Sequence, residues 1–142
     1  MAITQAVANS FKTEVLTGTH NFTATTGNSF KIALYTNSAT LSKSTTAYTT
    51  TAEVSGTGYT ATGNTLTSVT PALSTDTAVC DFADTSWTSA TITARGALIY
   101  NDTQSDKAVV ALDFGGDKTS TAGTFTIQFP AADASNAILR LA

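Results

Sequence analysis

The sequence predicts a mainly β protein: an antiparallel β-sandwich, jelly-roll-like or Ig-like, of about eight short strands with one N-terminal α-helix. First, 31 of the 142 residues are Thr, whose branched Cβ favours a pleated surface. Second, apolar and polar residues alternate in short segments separated by Gly, Asn, Asp and Ser, as in antiparallel sheets. Third, no repeat or linker divides the chain, so we expect residues 1–142 to form a single domain.

The first regular pattern has a helical period. It predicts an amphipathic helix over residues 2–16, with Gly18 as its C-terminal stop. Two interpretations are open: the apolar stripe covers one face or end of the chain's own sheet, or it docks on a neighbouring subunit. In the second interpretation, the candidate interface residues are Ile3, Val7, Phe11 and Val15.

The period then changes to two. Residues 30–35 are the clearest predicted strand, and residues 91–93 lead into a hairpin of residues 96–100 and 108–112, joined by a polar turn. Pro130 ends a further alternating segment, residues 123–129, because proline cannot donate to a ladder. Weaker strands are predicted at residues 48–54, 62–73, 78–82 and 137–141. Residues 36–51 have little apolar content and predict an exposed loop.

Charge and hydropathy argue against two classes of partner. The formal net charge is -3 and the pI is about 4.7, with no cluster of Lys or Arg to neutralise phosphates, so we expect no nucleic-acid partner. No apolar run approaches the roughly 20 residues of a membrane span, and the first residues lack a signal-peptide pattern. We therefore expect no membrane contact and synthesis in the cytoplasm.

The residues available for chemistry predict no catalytic, cofactor-binding or metal site. His20 is the only histidine and is interpreted as a capping or loop residue, and Cys80 as a small buried residue. One of each cannot form a zinc site. The paired aspartates fit turn chemistry better than a glycosidase pair, so a hydrolase is the third hypothesis. Arg95 interrupts an apolar strand and is either an interface residue or an ordinary surface residue.

Aromatic residues allow two interpretations. Trp87 is the only tryptophan, and one such residue in a small β domain is typically a core anchor. If Trp87 shared a surface with the tyrosines, the rings could instead stack on sugars. These tyrosines are Tyr35, Tyr48, Tyr59 and Tyr100.

Four segments in order along the chain carry a resemblance to a known family. They are FKIALYT at residues 30–36, EVSGTGYT at 53–60, GALIYNDT at 96–103 and LDFGGD at 112–117. In these segments the chain resembles small virion structural proteins of tailed bacteriophages, from about Phe11 to the C-terminus. The resemblance implies a virion component of capsid-decorating or minor tail type. It implies no enzyme activity and transfers no functional residue.

These observations lead to one expected function and one alternative. We expect a non-enzymatic protein that decorates and stabilises the capsid lattice as a symmetric homo-oligomer, because small uncharged side chains lose little entropy when they are covered. Its expected partners are the major capsid protein or other virion proteins, in a virion assembled in the host cytoplasm. The alternative is a tail- or fibre-associated binding module that contacts host surface glycans.

Overall fold

The protein is described here by a computed structural model of residues 2–142, which form two antiparallel β-sheets and one short helix. In chain order the elements are β1 (Ala6–Val7), α1 (Asn9–Leu16), β2 (Phe30–Tyr35), β3 (Asn64–Thr65), β4 (Ser68–Ser74), β5 (Thr77–Phe82), β6 (Thr85–Asn101), β7 (Lys107–Ile127) and β8 (Leu139–Leu141). The predicted mainly β fold class is confirmed. No helix in residues 2–142 has the length and hydropathy needed to cross a membrane.

The larger sheet is built around the long β6–β7 hairpin. Its strand order is β1-β7-β6-β2-β3. Strand β2 pairs with β6 from Gly96 to Asn101 only, so the distal part of the hairpin has two strands. We call this part, residues 85–94 of β6 and 118–127 of β7, the ribbon. Alternate β6 residues in the ribbon are buried, whereas most of β7 there is exposed.

The smaller sheet has the strand order β4-β5-β8 and packs on the larger one through aromatic rings. Phe30 of β2 and Phe82 of β5 have ring centroids 5.9 Å apart, and Phe22 stacks on Phe30 at 4.2 Å. Phe129, which follows β7, contacts Phe82 at 5.6 Å. Because Phe30 is fully buried and Phe82 is 3% exposed, these rings form the core of the sandwich where the two sheets meet.

The predicted helix over residues 2–16 is wrong in its first half. Helix α1 covers only Asn9–Leu16, and β1 pairs with Val110 and Ala111 of β7. Before β1, Ile3 forms an isolated bridge with Leu41. The apolar spacing of this segment is compatible with a helix and with the two-residue period of a strand. Pairing with the otherwise open edge of β7 stabilises the extended form. Tertiary pairing therefore overrides the helical pattern here.

The strand predictions succeed where alternation is regular. Strand β2 has the predicted bounds, and a turn joins β6 and β7 after Asn101 as predicted. The predicted strand at residues 48–54 is wrong, since only isolated bridges at Ala47 and Glu53 fall in or beside it. The segment 62–73 divides into β3 and β4. In the predicted exposed loop, Ala39 and Leu41 are buried, the latter beside the N-terminal segment.

Candidate docking surface

The four apolar residues predicted as a helical interface pack within their own chain. Ile3 is 8% exposed and Phe11 is 7% exposed. The Phe11 ring lies 4.8 Å from that of His20, while Val7 and Val15 are half-buried against the same core. The structure therefore leaves no exposed stripe made of these four residues, although Phe11 and Val15 also line a surface groove.

Arg95 forms a surface ion pair. Its Nε donates to Asp117 Oδ1 at 2.8 Å, and the two side chains are 37% and 39% exposed. Asp117 lies in an irregular part of β7. Between the pairs Gly96–Asp113 and Ala94–Lys118, the chain advances by five residues in β7 and by only two in β6. A pair at this exposure contributes only a few tenths of a kcal/mol up to about 1 kcal/mol. Its contact with a partner stays a prediction.

His20 is a buried structural residue, and its partners fix its tautomer. The Asn101 side-chain amide donates to Nδ1 at 3.0 Å, so Nε2 carries the hydrogen and donates to Glu14 at 3.0 Å. Asn101 Oδ1 accepts the backbone amides of Thr103 and Gln104, which closes the β6–β7 turn. Both ring nitrogens thus hold α1 and the turn together, and neither of them is bonded to a Ser or Cys that the imidazole could deprotonate.

Glu53 is the centre of a hydrogen-bonded cluster that the sequence does not signal. Its Oε1 accepts the Tyr59 hydroxyl at 2.7 Å and the Thr62 amide at 2.8 Å, and its Oε2 accepts the Tyr48 hydroxyl at 2.6 Å. The Tyr59 hydroxyl also accepts the Leu34 amide of β2. Burial, together with the hydrogen bond to Glu53, raises the pKa of Tyr48 to about 12. The cluster fastens the long segment after β2 onto the sheet.

The remaining reactive groups are also poorly suited to chemistry. Cys80 is half-buried rather than fully buried as expected, and its partial burial raises the pKa of its thiol to about 12, so almost no thiolate forms at neutral pH. Asp81 is 2% exposed, and burial raises its pKa as well. Asp113 accepts the Gly115 amide, as expected of turn chemistry. Within residues 2–142 no three His, Cys, Asp or Glu side chains are grouped as metal ligands.

The aromatic residues considered for sugar stacking are directed inwards. Trp87 is 4% exposed and lies between Tyr59 and Phe125, with ring centroids 5.8 Å and 6.1 Å away. Tyr48 is half-buried and stacks on Tyr100 at 4.9 Å. Because a sugar needs an exposed ring face, Trp87 offers no stacking platform in this structure.

The smaller sheet carries an exposed apolar row that no prediction included. Leu73 of β4, Ala78 of β5 and Leu141 of β8 are directly paired across the three strands. We call these three residues the leucine row. Leu73 is 75% exposed and Leu141 is 67% exposed, although both are large apolar side chains. Apolar residues grouped on one surface in this way mark interaction sites.

A groove of about 580 Å³ lies beside the leucine row. Its lining includes Ala78 and Leu141 of the smaller sheet and Val15 of α1. Apolar atoms predominate in the lining, which also contains the apolar residues Phe11, Phe22, Pro71, Val79, Cys80 and Leu139 and the polar residues His20, Thr70 and Arg140. The row and the groove together form a continuous candidate for apolar contact through Ala78 and Leu141, so we take them as the candidate docking surface.

Comparison with known proteins adds no assignment: no family model matches the chain, and no curated protein or solved structure shows significant similarity to it. A function for this chain is therefore inferred from its residues and from the geometry above.

The leucine row could have been suspected from Leu73 and Leu141 only if their strand pairing had been known, because they are far apart in sequence.

Proposed function

We propose that this chain is a non-enzymatic virion structural protein of a tailed bacteriophage, which decorates the capsid lattice and stabilises it by binding as a symmetric oligomer. The observation that carries the proposal is the leucine row, an exposed apolar surface on the smaller sheet. The four sequence segments that resemble phage virion proteins, in their order along the chain, support the proposed class of partner. This class is the major capsid protein or a neighbouring virion protein.

The energetics of the row suit weak contacts repeated over many copies. Fully burying a leucine side chain contributes about 1.5–3 kcal/mol, so covering the exposed parts of Leu73 and Leu141 contributes about 2–4 kcal/mol per copy. One such contact is too weak for a stable complex, but several contacts in one oligomer reinforce each other through their effective concentration. Binding to the assembled lattice and not to free subunits then stabilises the shell by mass action.

Copy number in purified virions tests the role. We expect a number comparable to that of the capsomers, measured by quantitative gels or mass spectrometry. A few copies per particle would contradict capsid decoration and favour a tail position.

Charge substitutions in the row test the surface. The double variant Leu73→Asp/Leu141→Asp is expected to bind capsid shells that lack this protein at least about tenfold more weakly than the wild type does. The reason is that the introduced carboxylates must be desolvated on contact. Leu16→Asp is the matched control, because Leu16 is 82% exposed on α1 and does not line the groove. Equal loss of binding in the control, or none in the double variant, would show that the row is not the contact surface.

The alternative, a tail- or fibre-associated module that binds host glycans, has less support because Trp87 is buried and the Tyr48 hydroxyl is bonded to Glu53. Glycan-array binding by the folded protein, lost in Tyr48→Ala, would favour it over the capsid role.

A further inference from the structure

The outer edge of β7 in the ribbon has no strand partner. Strand β1 pairs with β7 only at Val110 and Ala111, and residues 118–127 of β7 pair with β6 alone. The opposite edge of the ribbon is covered, since the Thr91 amide donates to the Thr57 carbonyl and the Asn64 side chain donates to the Ser86 carbonyl. Among residues 2–142, no backbone group from outside the ribbon hydrogen-bonds to the β7 segment 118–127.

The sequence of this edge is symmetric in its threonines. Residues 119–126 read TSTAGTFT, with Thr at the same places in either direction. In an antiparallel pair of this segment from two copies, Thr119 of each copy would face Thr126 of the other, and Thr121 would face Thr124. Small residues, Ala122 and Gly123, would lie at the two-fold axis. All four threonines are exposed, and they are therefore free to be covered.

Charge permits the same pairing. Residues 119–127 contain no charged side chain. In the symmetric register Lys118 would face Ile127, and Asp117 would face Gln128, so like charges are not opposed. The charged and proline residues that commonly protect an edge strand are thus absent from the segment that would pair.

The ribbon already contains the side-chain contact that such an interface would repeat. Across the strands, the hydroxyls of Thr93 and Thr119 are 3.2 Å apart, and those of Ser86 and Thr126 are 2.9 Å apart. A hydroxyl can both donate and accept, so threonine rows suit self-pairing. The open main-chain groups of each edge would supply the ladder between the copies.

We infer that a second copy of this chain pairs with the ribbon edge of β7, antiparallel, about a two-fold axis between Ala122 and Gly123. The register against β6 shifts by one residue between Ser120 and Gly123, so β7 has a bulge beside this axis. The shared ladder consequently has two segments, residues 119–121 and 124–126. This edge would be the surface through which the chain self-associates in the proposed function. Only the role of the dimer in the virion rests on that proposed function.

A charge-swap series on the full chain tests the register. Sedimentation equilibrium should show that the wild type dimerises. Thr121→Lys/Thr124→Lys should weaken dimerisation at least about tenfold, because lysines would face each other on both sides of the axis. Thr121→Lys/Thr124→Glu should restore it, because each introduced lysine then faces a glutamate of the other copy. Thr13→Lys/Thr51→Lys, two exposed threonines outside the ribbon, is the matched control and should dimerise like the wild type.

Hydrogen exchange of the wild-type protein tests the same β7 edge without requiring that any variant folds. Amides within residues 119–121 and 124–126 should become more protected as protein concentration rises. A monomer at all accessible concentrations, or a dimer equally strong in the Lys/Lys variant, would overturn the inference. Protection of this edge only when shells are added would show that another protein occupies it, and would also overturn it. None of these results bears on virion copy number, so the proposed function is tested separately.

Discussion

Removing the Glu53 carboxylate should destabilise the fold more than any other single change in its cluster. Three donors converge on this group: the Tyr48 and Tyr59 hydroxyls and the Thr62 amide, all within 2.8 Å. A hydrogen bond to a charged acceptor contributes about 1.5–3 kcal/mol net. All three hydrogen bonds are part-buried, so water can replace a share of each of them when the carboxylate is removed.

We therefore expect Glu53→Ala to lower the free energy of unfolding by about 3–5 kcal/mol, a large share of the roughly 5–15 kcal/mol typical of a domain. Glu53→Gln keeps an acceptor for Tyr59 and Thr62 and should cost only about 1 kcal/mol. Urea unfolding at pH 7, followed by circular dichroism, measures both. Tyr48→Phe is the control that removes one donor and keeps the carboxylate.

The same cluster predicts an alkaline transition. The pKa of Tyr48 is raised from 10.0 to about 12 by burial first and then by its hydrogen bond to Glu53. A raised pKa means that the fold favours the protonated phenol, so this contribution to stability is complete below pH 10 and is lost as the pH rises to 12. In Glu53→Gln the transition of Tyr48, followed by the ultraviolet absorbance of tyrosinate, should shift to lower pH. A stability loss below about 1 kcal/mol in Glu53→Ala, with no shift of the titration in Glu53→Gln, would refute the reasoning.

Three further predictions concern individual residues of the core and its margins. Cys80 is half-buried and burial raises the pKa of its thiol to about 12, so it should react with a disulfide reagent at pH 8 much more slowly in the native state than in urea; equal rates would contradict the raised pKa. Burial also raises the pKa of Asp81 above 3.8, so stability should fall as the pH rises from this value through the raised pKa, and Asp81→Asn should remove that dependence; parallel urea midpoints for both proteins across the pH range would count against it. Gly63→Ala should cost more than about 2 kcal/mol in urea unfolding, because φ is +79° and the new methyl group would overlap the Ile32 carbonyl; a loss below 1 kcal/mol would mean that the turn can move.

Local pattern is enough to predict the regular strands of this protein. In β2 the large apolar residues Phe30, Ile32 and Leu34 share one face and every side chain except Lys31 is buried, so both bounds could be read from residues 30–35 alone. The β6–β7 hairpin was predicted only in pieces, because register shifts at Trp87, Ala90, Ala94 and Ile99 interrupt the alternation on which strand prediction depends. The length of that hairpin is set by pairing across the two strands, and a single-strand pattern does not contain it.

The N-terminal segment and the site show the limit of the same reasoning. Residues 2–16 have a helical spacing throughout, yet the first part is extended because the β7 edge offers Val110 and Ala111 as partners. The leucine row and the Glu53 cluster have the same origin. Their members come from separate segments and have no common spacing, so only the strand order brings them together.

The position of Trp87 decides what a fluorescence experiment on this protein reports. The sole tryptophan of the sequence lies in the ribbon, where its ring contacts Tyr59 and Phe125 and takes no part in the phenylalanine contacts that join the two sheets. Its emission will therefore follow opening of the ribbon, whereas signals from the phenylalanine rings will follow separation of the sheets. If the two signals do not coincide during denaturation, the ribbon and the sandwich unfold as separate cooperative units.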